Sequence, residues 1–152
     1  MKKKALQRVI SRLEERAQAP SPAYLVPGLW LDPHGSLATQ SVVPEEYFLQ
    51  SLRRIVRSPR RKRVTDGDMP GDWGKNAIAY NLLVRYGAAF DHNGDGRVIR
   101  EPLASGWRET GTFLKAITML PYIRSLGCNT IHLLPITAIG QDGNKGDMGS
   151  AF

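Results

Sequence analysis

Asp91-His92-Asn93-Gly94-Asp95-Gly96 carries an oxygen-bearing side chain at every second position and closes on a glycine. That alternation turns the oxygens of Asp91, Asn93 and Asp95 toward one point, and Gly96 lets the chain bend sharply after them. A hard cation such as Ca²⁺ needs roughly six or more oxygens at short range, drawn from carboxylates, amides and backbone carbonyls. Arg97 stands where a loop of this kind turns a backbone carbonyl inward. Asp91, Asn93, Asp95 and the carbonyl of Arg97 are therefore the candidate metal ligands, with Ca²⁺ as the expected cofactor. The bland alternative is an Asp/Asn/Gly turn that is polar for solvation only.

The loop is not expected to be an EF-hand. The twelfth position of such a loop is a bidentate Glu, and here it is Pro102, with Glu101 one step early. A strand rather than a helix is expected before it, so the remaining ligands would come from elsewhere in the fold. Other residues with chemical potential read as structural. His34 lies in the turn Asp32-Pro33-His34-Gly35, with no second metal-type residue at useful spacing. His132 sits in a strongly apolar run and reads as a core or barrel-lining histidine rather than a catalytic one. Cys128 has no His or Asp signature beside it and reads as inert.

The loop needs elements on either side to hold it. Residues 77–86 read as a strand. From Thr112 onward Phe113, Ile117, Leu120 and Ile123 recur at helical spacing, predicting a helix with one apolar face. Thr110 and Thr112 are candidate N-caps. Pro121 should kink or divide the helix because it lacks an N–H. Gly127 suits the left-handed residue that ends it. Asn129-Thr130-Ile131-His132-Leu133-Leu134-Pro135 is apolar on both alternating faces, as in a strand of a covered parallel sheet. Two strands joined by a helix predict a β-α-β crossover.

The N-terminal part differs. Residues 1–63 hold 13 Lys and Arg against 5 Asp and Glu, a balance of +8, and the remainder balances at −1. Lys2–Ala17 predicts an amphipathic helix with Leu6, Val9, Ile10, Leu13 and Ala17 on one stripe, which packs on a neighbour; the Trp or Phe anchors of a membrane-surface helix are missing. Residues 19–42 are rich in Pro, Gly and Ser and read as loop around an apolar cluster of Tyr24, Leu25, Val26, Trp30 and Leu31. Pro44–Val56 predicts a second helix, with Pro44 at its first position and Glu45 and Glu46 at the positive end of the dipole. Phe48, Leu52, Ile55 and Val56 are its expected apolar face. The basic run Arg57–Arg63 reads as a solvated loop; no nucleic-acid-binding signature or interleaved aromatics surround it, so a nucleic-acid partner is not expected. Residues 65–74 also read as loop. No run approaches the ~18 apolar residues of a spanning helix. The lysine-rich start is not followed by an apolar signal segment, and the single cysteine suits a reducing compartment. The expectation is a cytoplasmic chain with no membrane partner.

Residues 80–152 resemble the start of the catalytic barrel of the α-amylase superfamily, glycoside hydrolase family 13. Phe90–Gly96 is similar to the family's D-x-N-x-D-G calcium loop after the first barrel strand. Leu120–Ile136 is similar to its run through the first helix and second strand, and Lys145–Phe152 resembles its approach to the third strand. Two positions depart from the pattern: Ile99 stands where an Asp is frequent, and Ala151-Phe152 where Pro-Tyr is usual. The resemblance implies an α/β fold, an incomplete TIM (β/α)₈ barrel fragment comprising the first β-α-β unit. Residues 1–75 would then be a helical, basic N-terminal extension, and residues 76–152 the barrel start. A full barrel takes roughly 250 residues. The resemblance also implies Ca²⁺ at Asp91, Asn93, Asp95 and Arg97, and a retaining mechanism on α-glucans or maltooligosaccharides. That chemistry needs two carboxylates about 5 Å apart, which the family carries on later strands, so no catalytic residue is carried over. The expectation is an N-terminal fragment of an α-glucan-active glycosidase or transglycosidase, inactive alone. The alternatives are a non-enzymatic calcium-binding module and, less favoured, a basic nucleic-acid-binding protein.

Overall fold

The computed structural model describes residues 2–58 and 72–136. The basic stretch from Pro59 to Arg63, most of the 65–74 loop and the Lys145–Phe152 motif lie outside these residues. The order of elements is α1 (Lys2–Arg16), β1 (Tyr24–Pro27), α2 (Gly28–Leu31), β2 (Thr39–Val42), α3 (Pro44–Arg57), a 3₁₀ turn (Asp72–Asn76), β3 (Ala79–Leu82), α4 (Val84–Gly87), α5 (Phe113–Thr118), α6 (Leu120–Ser125) and β4 (Thr130–Leu133). The architecture is mixed α/β with two two-stranded sheets, and no closed barrel forms among the described residues. No helix among them is long and apolar enough to cross a membrane.

The crossover expected from the sequence is present. β3 and β4 run parallel, with Ala79, Tyr80, Asn81 and Leu82 opposite Thr130, Ile131, His132 and Leu133. The connecting helix is divided, as Pro121 predicts: α5 ends at Thr118, and α6 begins at Leu120 with the proline in its first turn. The Thr112 hydroxyl caps α5 by accepting from Lys115 N at 3.3 Å. Gly127 follows α6 at φ +85°.

Several expectations need correction. The first strand is shorter than residues 77–86, because Val84–Gly87 winds into one helical turn. Residues 19–42 are not simply loop: β1 and β2 pair antiparallel, Tyr24 opposite Val42 through Pro27 opposite Thr39. The apolar stripe read onto the divided helix also fails in part. Phe113 is exposed, whereas Lys115, Ala116, Thr118, Met119 and Ile123 are buried. A break at Met119 resets the angular phase, so one stripe cannot run through both pieces. In α3, Tyr47, Phe48, Leu49 and Leu52 are buried while Ile55 and Val56 stay exposed. β4 is half-open, and His132 is exposed rather than core, its Nδ1 2.8 Å from Asn81 Oδ1. One face of the two-stranded sheet has no cover among the described residues, so alternating apolarity did not translate into burial.

The main core joins the N-terminal segment to the later half. Ile10 and Leu13 of α1, Tyr24 and Val26 of β1, and Tyr47, Phe48, Leu49 and Leu52 of α3 are buried together, with Trp107, Leu114 and Ile117 packed against them. The Phe48 and Trp107 rings lie 5.0 Å apart. Burying a Phe of this kind stabilises by about 2–3 kcal/mol. A polar cluster reinforces the junction. The Glu45 carboxylate is wholly buried; it accepts from Ser21 Oγ at 2.5 Å, from Ser21 N at 3.2 Å and from Trp107 Nε1 at 3.2 Å. Arg16 Nε lies 3.6 Å from the same carboxylate. The Arg16 guanidinium also covers the Trp107 ring at 4.5 Å and donates to the Ser105 carbonyl. Burial alone would raise the Glu45 pKa, but these hydrogen bonds outweigh it and hold the group below the ordinary value.

Candidate functional site

The oxygen-rich loop follows α4 and runs across the surface from Asp91 to Ile99. Its shape is set by side chains folding back onto backbone amides. Asp91 Oδ1 accepts from Gly94 N at 2.7 Å and from Asp95 N at 3.2 Å, and Oδ2 accepts from Gly96 N at 2.7 Å. Asn93 Oδ1 accepts from Asp95 N at 3.0 Å, and Asp95 Oδ1 from Arg97 N at 2.9 Å. Asn93 Nδ2 donates to Asp95 Oδ2 at 2.9 Å. Gly94 and Gly96 adopt φ of +78° and +83°, which only glycine reaches cheaply. The alternating pattern thus brings Asp91, Asn93 and Asp95 together on one short arc, with Arg97 directly after it.

The arrangement offers hard oxygen donors only. Asp91 Oδ1 is used by two amides, whereas Asp91 Oδ2 and both oxygens of Asp95 each accept one donor and keep an acceptor site. The set therefore suits a hard cation whose remaining positions would be filled by water. Among the described residues no group of three or more His, Cys, Asp or Glu side chains gathers into a metal site; the loop has two carboxylates, and the other donors expected from the sequence are the Asn93 amide and the Arg97 carbonyl. Desolvation would raise the Asp91 pKa, but the amides of Gly96, Gly94, Asp95 and Asn93 together hold it below the ordinary carboxylate value. The loop therefore keeps that charge into mildly acid solution.

Three buried ionisable side chains lie beneath the loop, and sequence reading missed their role. Glu109 is fully buried. Its Oε1 accepts from His92 N at 3.0 Å and Asn93 N at 3.3 Å, and its Oε2 accepts from Ile99 N at 3.0 Å. Lys115 Nζ donates to the carbonyls of Glu109 at 2.7 Å and Thr110 at 2.9 Å. Burial lowers the Lys115 pKa to about 7, with partial compensation from Glu109. His92 stacks on Tyr24 at 3.8 Å between ring centroids and donates through Nδ1 to the Leu25 carbonyl. Leu25 N in turn donates to the His92 carbonyl at 2.9 Å. Burial, and secondarily the Lys115 charge, lowers the His92 pKa to about 4, against smaller upward pulls from the Leu25 carbonyl and Asp91. The only sequence signal for this layer was an acidic residue in a connection between two elements, which has many bland explanations.

His34 is exposed in the turn that Asp32 closes through His34 N at 3.0 Å. Cys128 is a half-buried free thiol lining a cleft of about 310 Å³ with Leu120, Ile123, Asn129 and Thr130. A separate groove of about 770 Å³ runs along α3 past Gln50, Arg53, Arg54 and Arg57, and Arg53 is paired with Glu14 at 2.7 Å. None of these residues belongs to the loop.

No protein-family model matches this chain, and a search of curated proteins finds no relative.

Proposed function

We propose that this chain is the N-terminal part of an α-glucan-active glycosidase or transglycosidase of the α-amylase type, with a calcium loop at Asp91, Asn93, Asp95 and the Arg97 carbonyl. One observation carries the reading. A parallel strand pair is joined by a proline-divided helix, and the oxygen-rich loop lies between the first strand and that helix. This is the order that the sequence resemblance implies. Bound Ca²⁺ would supply a structural cross-link within the loop, while Asp91 and Asp95 provide the charge and Asn93 and Arg97 neutral oxygens. The substrate would be an α-glucan or maltooligosaccharide.

Calorimetric titration of the 152-residue chain with CaCl₂ tests the metal. Binding that disappears in Asp91→Ala and Asp95→Ala is expected; absence of heat and of any melting shift removes the calcium assignment. Sequencing the coding DNA downstream of Phe152 tests the enzyme class. An open frame carrying D-x-x-x-N-H supports it, and an unrelated continuation overturns it. A non-enzymatic calcium-binding module is the second reading. It is favoured by Glu109, through which the described residues shape the loop by themselves.

A further inference from the structure

We infer that Glu109 is the positioning residue of the oxygen-rich loop, a buried carboxylate that ties the loop's entry to its exit and thereby sets its affinity for a cation. This rests on reading Asp91, Asn93, Asp95 and Arg97 as a cation site. The geometry is asymmetric in a useful way. One oxygen of Glu109 holds the amides of His92 and Asn93, where the loop begins, and the other holds the amide of Ile99, where it ends. A single side chain therefore spans the base of the whole arc. It is in turn held from behind. Phe90 N donates to the Glu109 carbonyl at 3.0 Å, and Lys115 Nζ donates to that same oxygen at 2.7 Å.

The loop is otherwise exposed from Asn93 to Val98, so little apolar packing restrains it. Without the clasp, a cation would have to order the loop as it bound, and that ordering weakens binding. Residues that orient metal ligands from one shell out typically change affinity by about 10–100-fold when altered. Glu109→Gln keeps the size and one acceptor but turns the other oxygen into a donor facing an amide. Glu101→Gln removes the same charge from an exposed position two residues beyond Ile99 and serves as the control.

The experiment is CaCl₂ titration of the full chain and both variants, with amide hydrogen exchange followed by NMR. The expected result is a roughly tenfold or greater rise in Kd for Glu109→Gln, an unchanged Kd for Glu101→Gln, and faster exchange at His92, Asn93 and Ile99 while α1 and α3 remain protected. Equal affinity in Glu109→Gln and the unaltered chain overturns the inference. If Glu109→Gln does not fold, the unaltered chain still decides: by linkage, saturating Ca²⁺ must slow exchange at those three amides, and no slowing overturns the inference. If the unaltered chain binds no Ca²⁺, the cation reading fails and affinity control by Glu109 fails with it. Faster exchange in Glu109→Gln would then leave only the clasp itself standing.

Discussion

His92 is the residue where burial and charge conflict most visibly. Its ring is almost wholly enclosed, stacked on Tyr24 and bonded to the Leu25 carbonyl, and its Nε2 has no hydrogen-bond partner among the described residues. Folded, it titrates near 4; unfolded, near its ordinary value of 6.5. Between those values the unfolded chain binds a proton that the folded chain refuses, so stability falls as pH drops through this window. A shift of this size corresponds to about 3 kcal/mol. Glu45, with its pKa held low, adds to the loss on further acidification, because its contribution disappears as the carboxylate is protonated. Lys115 acts with the same sign at higher pH: its folded value of about 7 lies below its unfolded value of 10.5, so stability rises with pH across that interval. Chemical denaturation at a series of pH values should show the acid loss, and His92→Phe should flatten the slope between pH 6.5 and 4. An unchanged slope in that variant would refute the assignment.

Among the elements, the contact of Gly111 with α4 is the tightest constraint. Gly111 N donates to the Arg85 carbonyl at 2.7 Å, and a Cβ on Gly111 would lie 1.7 Å from the Val84 carbonyl oxygen. Gly111→Ala must push the start of α5 away from α4, at an expected cost of about 2 kcal/mol or more. Gly74→Ala, where a Cβ meets nothing within 4 Å among the described residues, is the matched control. Equal melting temperatures for the two would refute this. The element scale is also where sequence reading did best and worst. Both long N-terminal helices, the Pro121 division, the Thr112 cap and the parallel strand pair were legible, since each is written in local periodicity or in a residue with one backbone preference. The β1–β2 hairpin was not, because Pro and Gly in residues 19–42 mask two four-residue strands whose partner registers are non-local. The exposure of Phe113, Ile55 and Val56 was not legible either, since apolar spacing says which residues share a face and not whether anything covers it. At the site, the arc of Asp91, Asn93 and Asp95 was readable from spacing alone. Glu109 reaches it across 10–17 residues of chain, a distance at which sequence carries no directional signal.

At the scale of the molecule, the loop is held by segments far apart in sequence, β1 on one side and Glu109 on the other. The hairpin strand β1 exchanges hydrogen bonds with His92, and the α1–α3 pair packs on Trp107 and on α5 through Leu114 and Ile117. The chemistry expected of an α-glucan enzyme needs a pair of carboxylates about 5 Å apart over a sugar-binding cleft. The resemblance assigns that pair to later strands, and the buried acids among the described residues, Glu45 and Glu109, are both committed to amides, hydroxyls or an indole. The pure 152-residue chain should therefore release no reducing sugar from starch or maltooligosaccharides at any calcium concentration. Measurable release that scales with protein and survives repurification would overturn the expectation.

The shared carboxylate of Glu45 has one more consequence. Donors from Ser21 and Trp107, with Arg16 beside them, meet at a single buried anion, so the opening helix, the second long helix and the segment before α5 are coupled at one point. Peeling α1 away would strip a cation from above the Trp107 indole and admit solvent to its ring. The Trp107 indole thus carries an optical signal of whether the opening helix is seated, read through a core that Tyr24 shares with the loop's His92.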